Sequence, residues 1–261
     1  MMTGRRSRRQ RGDRSSSAEC ATVCAVIAAA VLAFALAVAQ EPGFRIEPVT
    51  IGLQEACGMA FTPDGRLLVV ERRTGNIVVV AGGARAGVWA TVPVWHDDGS
   101  AGAIGIAVDP GFPVNGHVYV SHTTLGGENA IVRLTEVGGR GVQPLLLPQR
   151  SPVSFAHNIG PMAFGADGRL YVLNGDAADN AAAADLQSLR GKVWRLATPG
   201  GAVPADNPFA GSYVFSYGHR NAFGIAMHPS RGDLYQTENG YLIDDEFNRL
   251  LPGRCTCRAR Q

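Results

Sequence analysis

Met59-Ala60-Phe61-Thr62-Pro63-Asp64-Gly65-Arg66-Leu67-Leu68-Val69-Val70-Glu71 reads as a complete β-hairpin: an apolar-Ala-apolar strand end, a Pro-Asp-Gly turn and an apolar return strand. The phrase recurs three times. Ile106-Ala107-Val108 leads through Asp109-Pro110 to Val118–Ser121, Met162-Ala163-Phe164 through Asp167-Gly168 to Leu170–Asn174, and Ile225-Ala226-Met227 through His228-Pro229 to Leu234–Glu238. Successive anchor alanines stand 47, 56 and 63 residues apart, at or above the roughly 40–50 residues of one four-stranded propeller blade. This period predicts an all-β propeller with about four blades in the chain, with a plain β-sandwich as the runner-up.

The intervening sequence supports that reading. Asn76–Val80, His117–Val120 and Asn129–Leu134 are strand-like runs bounded by Gly, Pro, Asn or Asp, and strand signals dominate from Phe44 onward. Long amphipathic helices are missing; the one helix-like stretch is the alanine-rich Ala181–Leu189, ahead of a further strand at Lys192–Leu196. With 33 Gly and 15 Pro, the 261 residues read as short strands joined by tight turns.

Residues 1–39 read as a targeting segment rather than part of the fold. Arg5, Arg6, Arg8, Arg9, Arg11 and Arg14 precede an apolar run from Ala21 to Ala39, and Ala37-Val38-Ala39 has the small-x-small form of a signal-peptidase site. Cleavage there, or retention of residues 21–39 as a membrane anchor, puts residues 40–261 outside the cytoplasm, periplasmic or secreted. The segment holds six of the 24 basic and two of the 22 acidic residues, so the remainder carries 18 against 20, a net charge of −2. No basic patch is left to argue for nucleic acid. Cys57, Cys255 and Cys257 form no disulfide framework or zinc site; the expectation is a small buried Cys57 and incidental tail cysteines.

Three polar clusters interrupt the hairpins. Ala156-His157-Asn158 stands at the entrance to the third repeat and Tyr217-Gly218-His219-Arg220-Asn221 at the entrance to the fourth. Equivalent positions in successive blades face one end of a propeller, so the two converge. A neutral histidine can take a proton from an alcohol, and an arginine fork suits a carboxylate or quinone oxygen. The competing reading makes either histidine a structural hydrogen-bonder capping a loop. The third cluster, Glu238-Asn239-Gly240 with Asp244-Asp245-Glu246, offers hard oxygens suited to Ca²⁺, or is a solvated acidic turn. There is no Gly-x-Ser-x-Gly elbow, phosphate-cradling loop or His-Glu-x-x-His, and the single lysine, Lys192, lies in a strand.

Asp185-Leu186-Gln187-Ser188-Leu189-Arg190-Gly191-Lys192-Val193-Trp194-Arg195-Leu196, then Pro204-Ala205-Asp206-Asn207-Pro208-Phe209, then Tyr217–Asn221, strongly resemble the glucose/sorbosone dehydrogenase family, and the likeness runs from about Gly52 to Gly253. The resemblance implies a six-bladed propeller and a soluble aldose dehydrogenase that uses pyrroloquinoline quinone (PQQ) and Ca²⁺. It implies His157 as the general base toward the sugar C1 hydroxyl, with hydride passing to the quinone, and Arg220 and Asn221 as residues that hold the quinone. Ser100 stands where the family offers a cofactor-contacting glutamine, and Ile159 where it usually has glycine. Glu238, Gly240, Tyr241, Asp245 and Glu246 match the family's calcium-loop positions, with Asn239 and Tyr241 in place of its histidine and proline. The family continues for about two further blades, so the expectation is a C-terminally truncated reading frame. The implied partner is a small sugar, with an electron acceptor the sequence does not identify. The alternative is a non-catalytic extracytoplasmic propeller that binds a carbohydrate or protein partner.

Overall fold

The computed structural model describes residues 43–256. The targeting segment lies outside the described residues, as does Cys257. Contacts divide the chain into residues 1–49 and residues 50–261. In the first unit, residues 43–49 form no helix or strand, so the strand signal read from Phe44 onward is not realised there.

The second unit is built of consecutive antiparallel sheets. The first holds β1 (Ala56–Phe61), β2 (Leu67–Glu71), β3 (Asn76–Ala81) and β4 (Ala84–Thr91). The second holds β5 (Ala103–Val108), β6 (His117–Thr123), β7 (Glu128–Val137) and β8 (Arg140–Leu146), with β9 (Ser151–Pro152) added to β7. The third holds β10 (Ile159–Phe164), β11 (Leu170–Asn174), β12 (Lys192–Leu196) and β13 (Val214–Tyr217), and the fourth β14 (Ala222–Met227), β15 (Leu234–Glu238) and β16 (Glu246–Arg249). Each sheet follows chain order, and β1, β5, β10 and β14 lie successively against one another. This is a four-blade propeller arrangement, as the repeat predicted.

The four hairpins are the same object. Ala60, Ala107, Ala163 and Ala226 pair with Leu68, Tyr119, Tyr171 and Tyr235, the equivalent second-strand position each time. A register irregularity follows the first residue of every first strand, between Ala56 and Gly58, Ala103 and Gly105, Ile159 and Met162, and Ala222 and Gly224. Such bulges re-aim the strand end beside them. In each blade the residue at or just after the end of the second strand then donates its N–H to the carbonyl just before the first: Arg72 to Glu55 (3.1 Å), Thr123 to Gly102 (2.8 Å), Gly175 to Asn158 (3.2 Å) and Asn239 to Asn221 (3.2 Å). His157 and Arg220, each one residue before such a carbonyl, therefore occupy equivalent positions in adjacent blades.

The core lies between sheets. Leu68, Val70, Ile77 and Trp89 of the first pack on Ile106, Val118 and Val120 of the second; Tyr119 and Ile131 meet Met162, Val172 and Trp194; Tyr171, Leu173 and Phe215 meet Ile225 and Leu234. Trp89 and Trp194 are thus core residues. Two short helices interrupt the blades, α1 (Phe112–Asn115) in the second hairpin and α2 (Asn180–Ala184) after β11. The helix-like run read over Ala181–Leu189 stops at Ala184: Asp179 caps its start by accepting from the Ala181 and Ala182 amides, and Asp185 turns extended. Cys57 is exposed and free rather than buried, and Cys255 is disulfide-bonded rather than incidental.

Candidate functional site

His157 sits at the blade rim with φ +57°, a left-handed conformation uncommon for a residue other than glycine. Its carbonyl accepts from the Ala177 amide (3.1 Å), and a Cβ on Gly175 would collide with that carbonyl, so Gly175 is what lets the backbone approach. Its Nδ1 lies 2.6 Å from Asp176 Oδ1. A carboxylate there can only accept, so Nδ1 carries the proton and Nε2 is left as the basic nitrogen. The His157 side chain is 13% exposed and that of Asp176 1%. Asp176 also accepts from the Ala178 amide at 2.9 Å and donates its own N–H to the Arg220 carbonyl at 2.8 Å. One buried acid therefore orients His157 and ties it to the Arg220 segment.

Asn158 fixes the same loop from the other side. Its amide Oδ1 accepts from the Ser154 N–H and from Asn129 Nδ2, and its Nδ2 donates to Ser100 Oγ (3.0 Å) and the Ser154 carbonyl (2.7 Å). Ser100 Oγ also accepts from the Asn158 N–H. The structure thus gives Ser100 a contact with Asn158, the neighbour of His157.

The two histidines of the polar clusters separate. His219 is buried among Ser216 Oγ (2.8 Å), Gln236 Nε2 (2.7 Å), Glu238 Oε2 (3.2 Å) and Thr256 Oγ1 (3.1 Å), which makes it a structural hydrogen-bonder. Lys192 is buried as well, donating to the carbonyls of Ala182, Ala183 and Arg190 at 2.6–2.9 Å. Burial lowers its pKa to about 8. It closes the end of α2 and packs the 177–191 excursion beside His219.

The acidic loop divides by direction. Glu238 points inward, accepting from the Arg220 amide, Gln236 Nε2 and the His219 ring. Asp245 Oδ1 accepts from the Gly240 N–H at 2.9 Å, and Tyr241 is exposed. Arg220 Nη1 donates to the carbonyls of Asn239 (3.3 Å) and Gly240 (3.1 Å), with its guanidinium 5.7 Å from the Tyr241 ring centroid. Asn221 contributes its carbonyl to Asn239. Among the described residues no three His, Cys, Asp or Glu side chains gather to hold a metal. In this arrangement the Glu238 carboxylate is engaged by buried partners and the Gly240 carbonyl accepts from the Arg220 guanidinium. For a quinone bearing carboxylates the chemistry is suited, since a guanidinium and a part-exposed imidazole stand on neighbouring blades of one rim.

Asp176 is the residue of consequence that the sequence did not single out; Lys192 was noted only as the single lysine of a strand, without the structural part it plays. The available signal for Asp176 was Gly175-Asp176 directly after a strand of the anchor repeat, the place where a rim residue must stand.

Comparison with known proteins gives a consistent family. The glucose/sorbosone dehydrogenase family model matches residues 53–255. Quinoprotein glucose dehydrogenase B of Acinetobacter calcoaceticus is 28% identical over 91% of this chain and 57% of its own length. The PQQ-bound form of aldose sugar dehydrogenase from Streptomyces coelicolor superposes with a TM-score of 0.75 at 34% identity, covering 80% of this chain and 64% of that one. An oxidoreductase from Thermus thermophilus, described as a glucose dehydrogenase, gives 0.74 at 39% identity over 81% and 66%. The chain spans 57–60% of the length of the curated relatives it matches.

Proposed function

The chain belongs to the glucose/sorbosone dehydrogenase family, and from that premise we propose that it serves PQQ-dependent oxidation of an aldose at C1. The observation that carries this reading is the His157–Asp176 pair at the rim, one backbone hydrogen bond from Arg220. Asp176 holds the Nδ1 proton, so Nε2 is the atom that takes the proton of the sugar C1 hydroxyl. The charge that develops on the imidazole is then stabilised by the buried carboxylate. Arg220 and Asn221 are the residues to hold the cofactor, the guanidinium by charge and the amide by hydrogen bonds. Bound PQQ supplies the hydride acceptor. Asn158, Ser100 and Gly175 keep His157 in its left-handed backbone conformation, which costs on the order of 1 kcal/mol if unsupported. A sugar substrate and an extracytoplasmic location belong to the same proposal, the latter resting on the arginine-led apolar segment.

The test is a C1-deuterated aldose with the wild-type chain and His157→Ala. The proposal expects a primary isotope effect on quinone reduction, and a loss of turnover in the variant of roughly 10²–10⁴-fold with quinone affinity retained. Equal turnover in both would remove His157 from the reaction.

A further inference from the structure

The Asn239–Asp245 loop is organised around a positive charge that the chain itself provides, and we infer that Arg220 is the resident cation of this loop, holding it ordered without a divalent metal. Two carbonyls of the loop, those of Asn239 and Gly240, accept from Arg220 Nη1. Two main-chain oxygens aimed at one point are the start of a hard-cation site. A guanidinium answers the same need with directional N–H bonds. The other contacts fix the fork. The Arg220 backbone is held by Asp176 through its carbonyl and by Glu238 through its amide, and the guanidinium lies against the Tyr241 ring.

The loop is shaped for this arrangement. Asp245 Oδ1 accepts from the Gly240 N–H, and Asn239 Nδ2 donates to the Gly240 carbonyl at 3.2 Å. A Cβ on Gly240 would collide with the Ile243 carbonyl, so only glycine closes the turn. Asn239 Oδ1 is buried with no hydrogen-bond partner. That leaves the loop with an acceptor the guanidinium does not satisfy, in addition to the two carbonyls it does. Neutralising Arg220 would leave the Asn239 and Gly240 carbonyls, Asn239 Oδ1 and Asp245 as an uncompensated oxygen cluster, which is the composition that calcium takes.

The inference does not depend on the dehydrogenase reading, and its test uses no turnover. Thermal unfolding of the full chain is followed in chelator and in millimolar calcium, together with terbium luminescence sensitised through Tyr241. The wild-type chain is expected to unfold at the same temperature in both and to show no saturable terbium signal. Arg220→Met is expected to unfold several degrees lower in chelator, to recover that loss in calcium, and to gain terbium binding. Arg220→Lys, which keeps the charge and loses the fork, is expected to fall between the two without gaining terbium. Saturable calcium binding by the wild-type chain with a raised unfolding temperature would overturn the inference. So would an Arg220→Met protein that folds with unchanged stability and takes no ion. If Arg220→Met does not fold, the wild-type and Arg220→Lys measurements decide alone.

Discussion

Asp176 turns His157 from a loop residue into a base with a defined tautomer. Replacing its carboxylate with an amide of the same shape leaves a group that can donate as well as accept, so the imidazole is free to take the other tautomer and lose Nε2 as acceptor. Asp176→Asn is therefore expected to lower kcat for aldose oxidation by roughly 10²-fold or more while quinone affinity is kept. Steady-state kinetics beside a quinone titration checks this, and an unchanged kcat would rule out an orienting role. His157 itself was legible because it stands at a repeat entrance. Asp176 was not, because the pairing crosses 19 residues and depends on a turn whose shape no composition reports. Ser100 was legible only as a family position; its bond to Asn158 spans 58 residues.

A second residue-level consequence concerns acid. His122 is buried, and burial first, with Arg150 nearby, lowers its pKa from 6.5 to about 4 against the opposing pull of the Pro93 and Thr123 backbone. Its folded pKa lies below the unfolded one, so the unfolded chain takes up the proton first as pH falls. Stability from this group is complete above about 6.5 and is lost progressively down to about 4, by roughly 3 kcal/mol. Urea unfolding at neutral and acidic pH is expected to show a smaller acid loss in His122→Phe than in the wild-type chain. Parallel pH profiles would contradict it.

At the scale of elements, each blade is a hairpin whose inner strand must approach the next blade closely. A Cβ on Gly58 would strike the Ile104 carbonyl, and one on Gly105 would lie 2.7 Å from the Gly160 carbonyl; neither obstacle is a side chain that can swing away. The equivalent Gly224 meets only Thr237 Oγ1, at 2.7 Å. Gly58→Ala is expected to cost about 2–3 kcal/mol and Gly224→Ala less than about 1 kcal/mol in denaturant unfolding. Equal costs would mean that inter-blade approach is not what selects these glycines. The hairpins were readable to the residue at Leu67–Glu71, Leu170–Asn174 and Leu234–Glu238 because turn chemistry and alternation are local. The structural use of Lys192 was not, since three carbonyls from a helix end and a turn converge on it only after folding.

Across the second unit as a whole, one interface is used three times and its two halves also appear alone. Ile106, Met162 and Ile225 each pack on the preceding blade, whereas their equivalent Met59 is 71% exposed and Phe61 beside it 68%. On the last blade Phe223 is 68% and Phe247 72% exposed. Apolar sheet faces of this kind drive association, so the chain as given is expected to self-associate with concentration in size-exclusion chromatography with light scattering. Phe61→Lys with Phe247→Lys is expected to reduce it. A wild-type chain that stays monomeric throughout would show those faces to be tolerated. The propeller class was legible from the repeat, and the rim location of His157 and Arg220 followed from it. What the rim does with Arg220 depends on carbonyl directions in an irregular loop, which a sequence pattern does not encode.

The most direct test of the central claim is titration of the purified chain with PQQ, following quinone absorbance before and after a panel of aldoses is added. The account predicts saturable binding and sugar-dependent reduction. A folded chain that binds no quinone, or that binds it without any change on adding sugar, would contradict it.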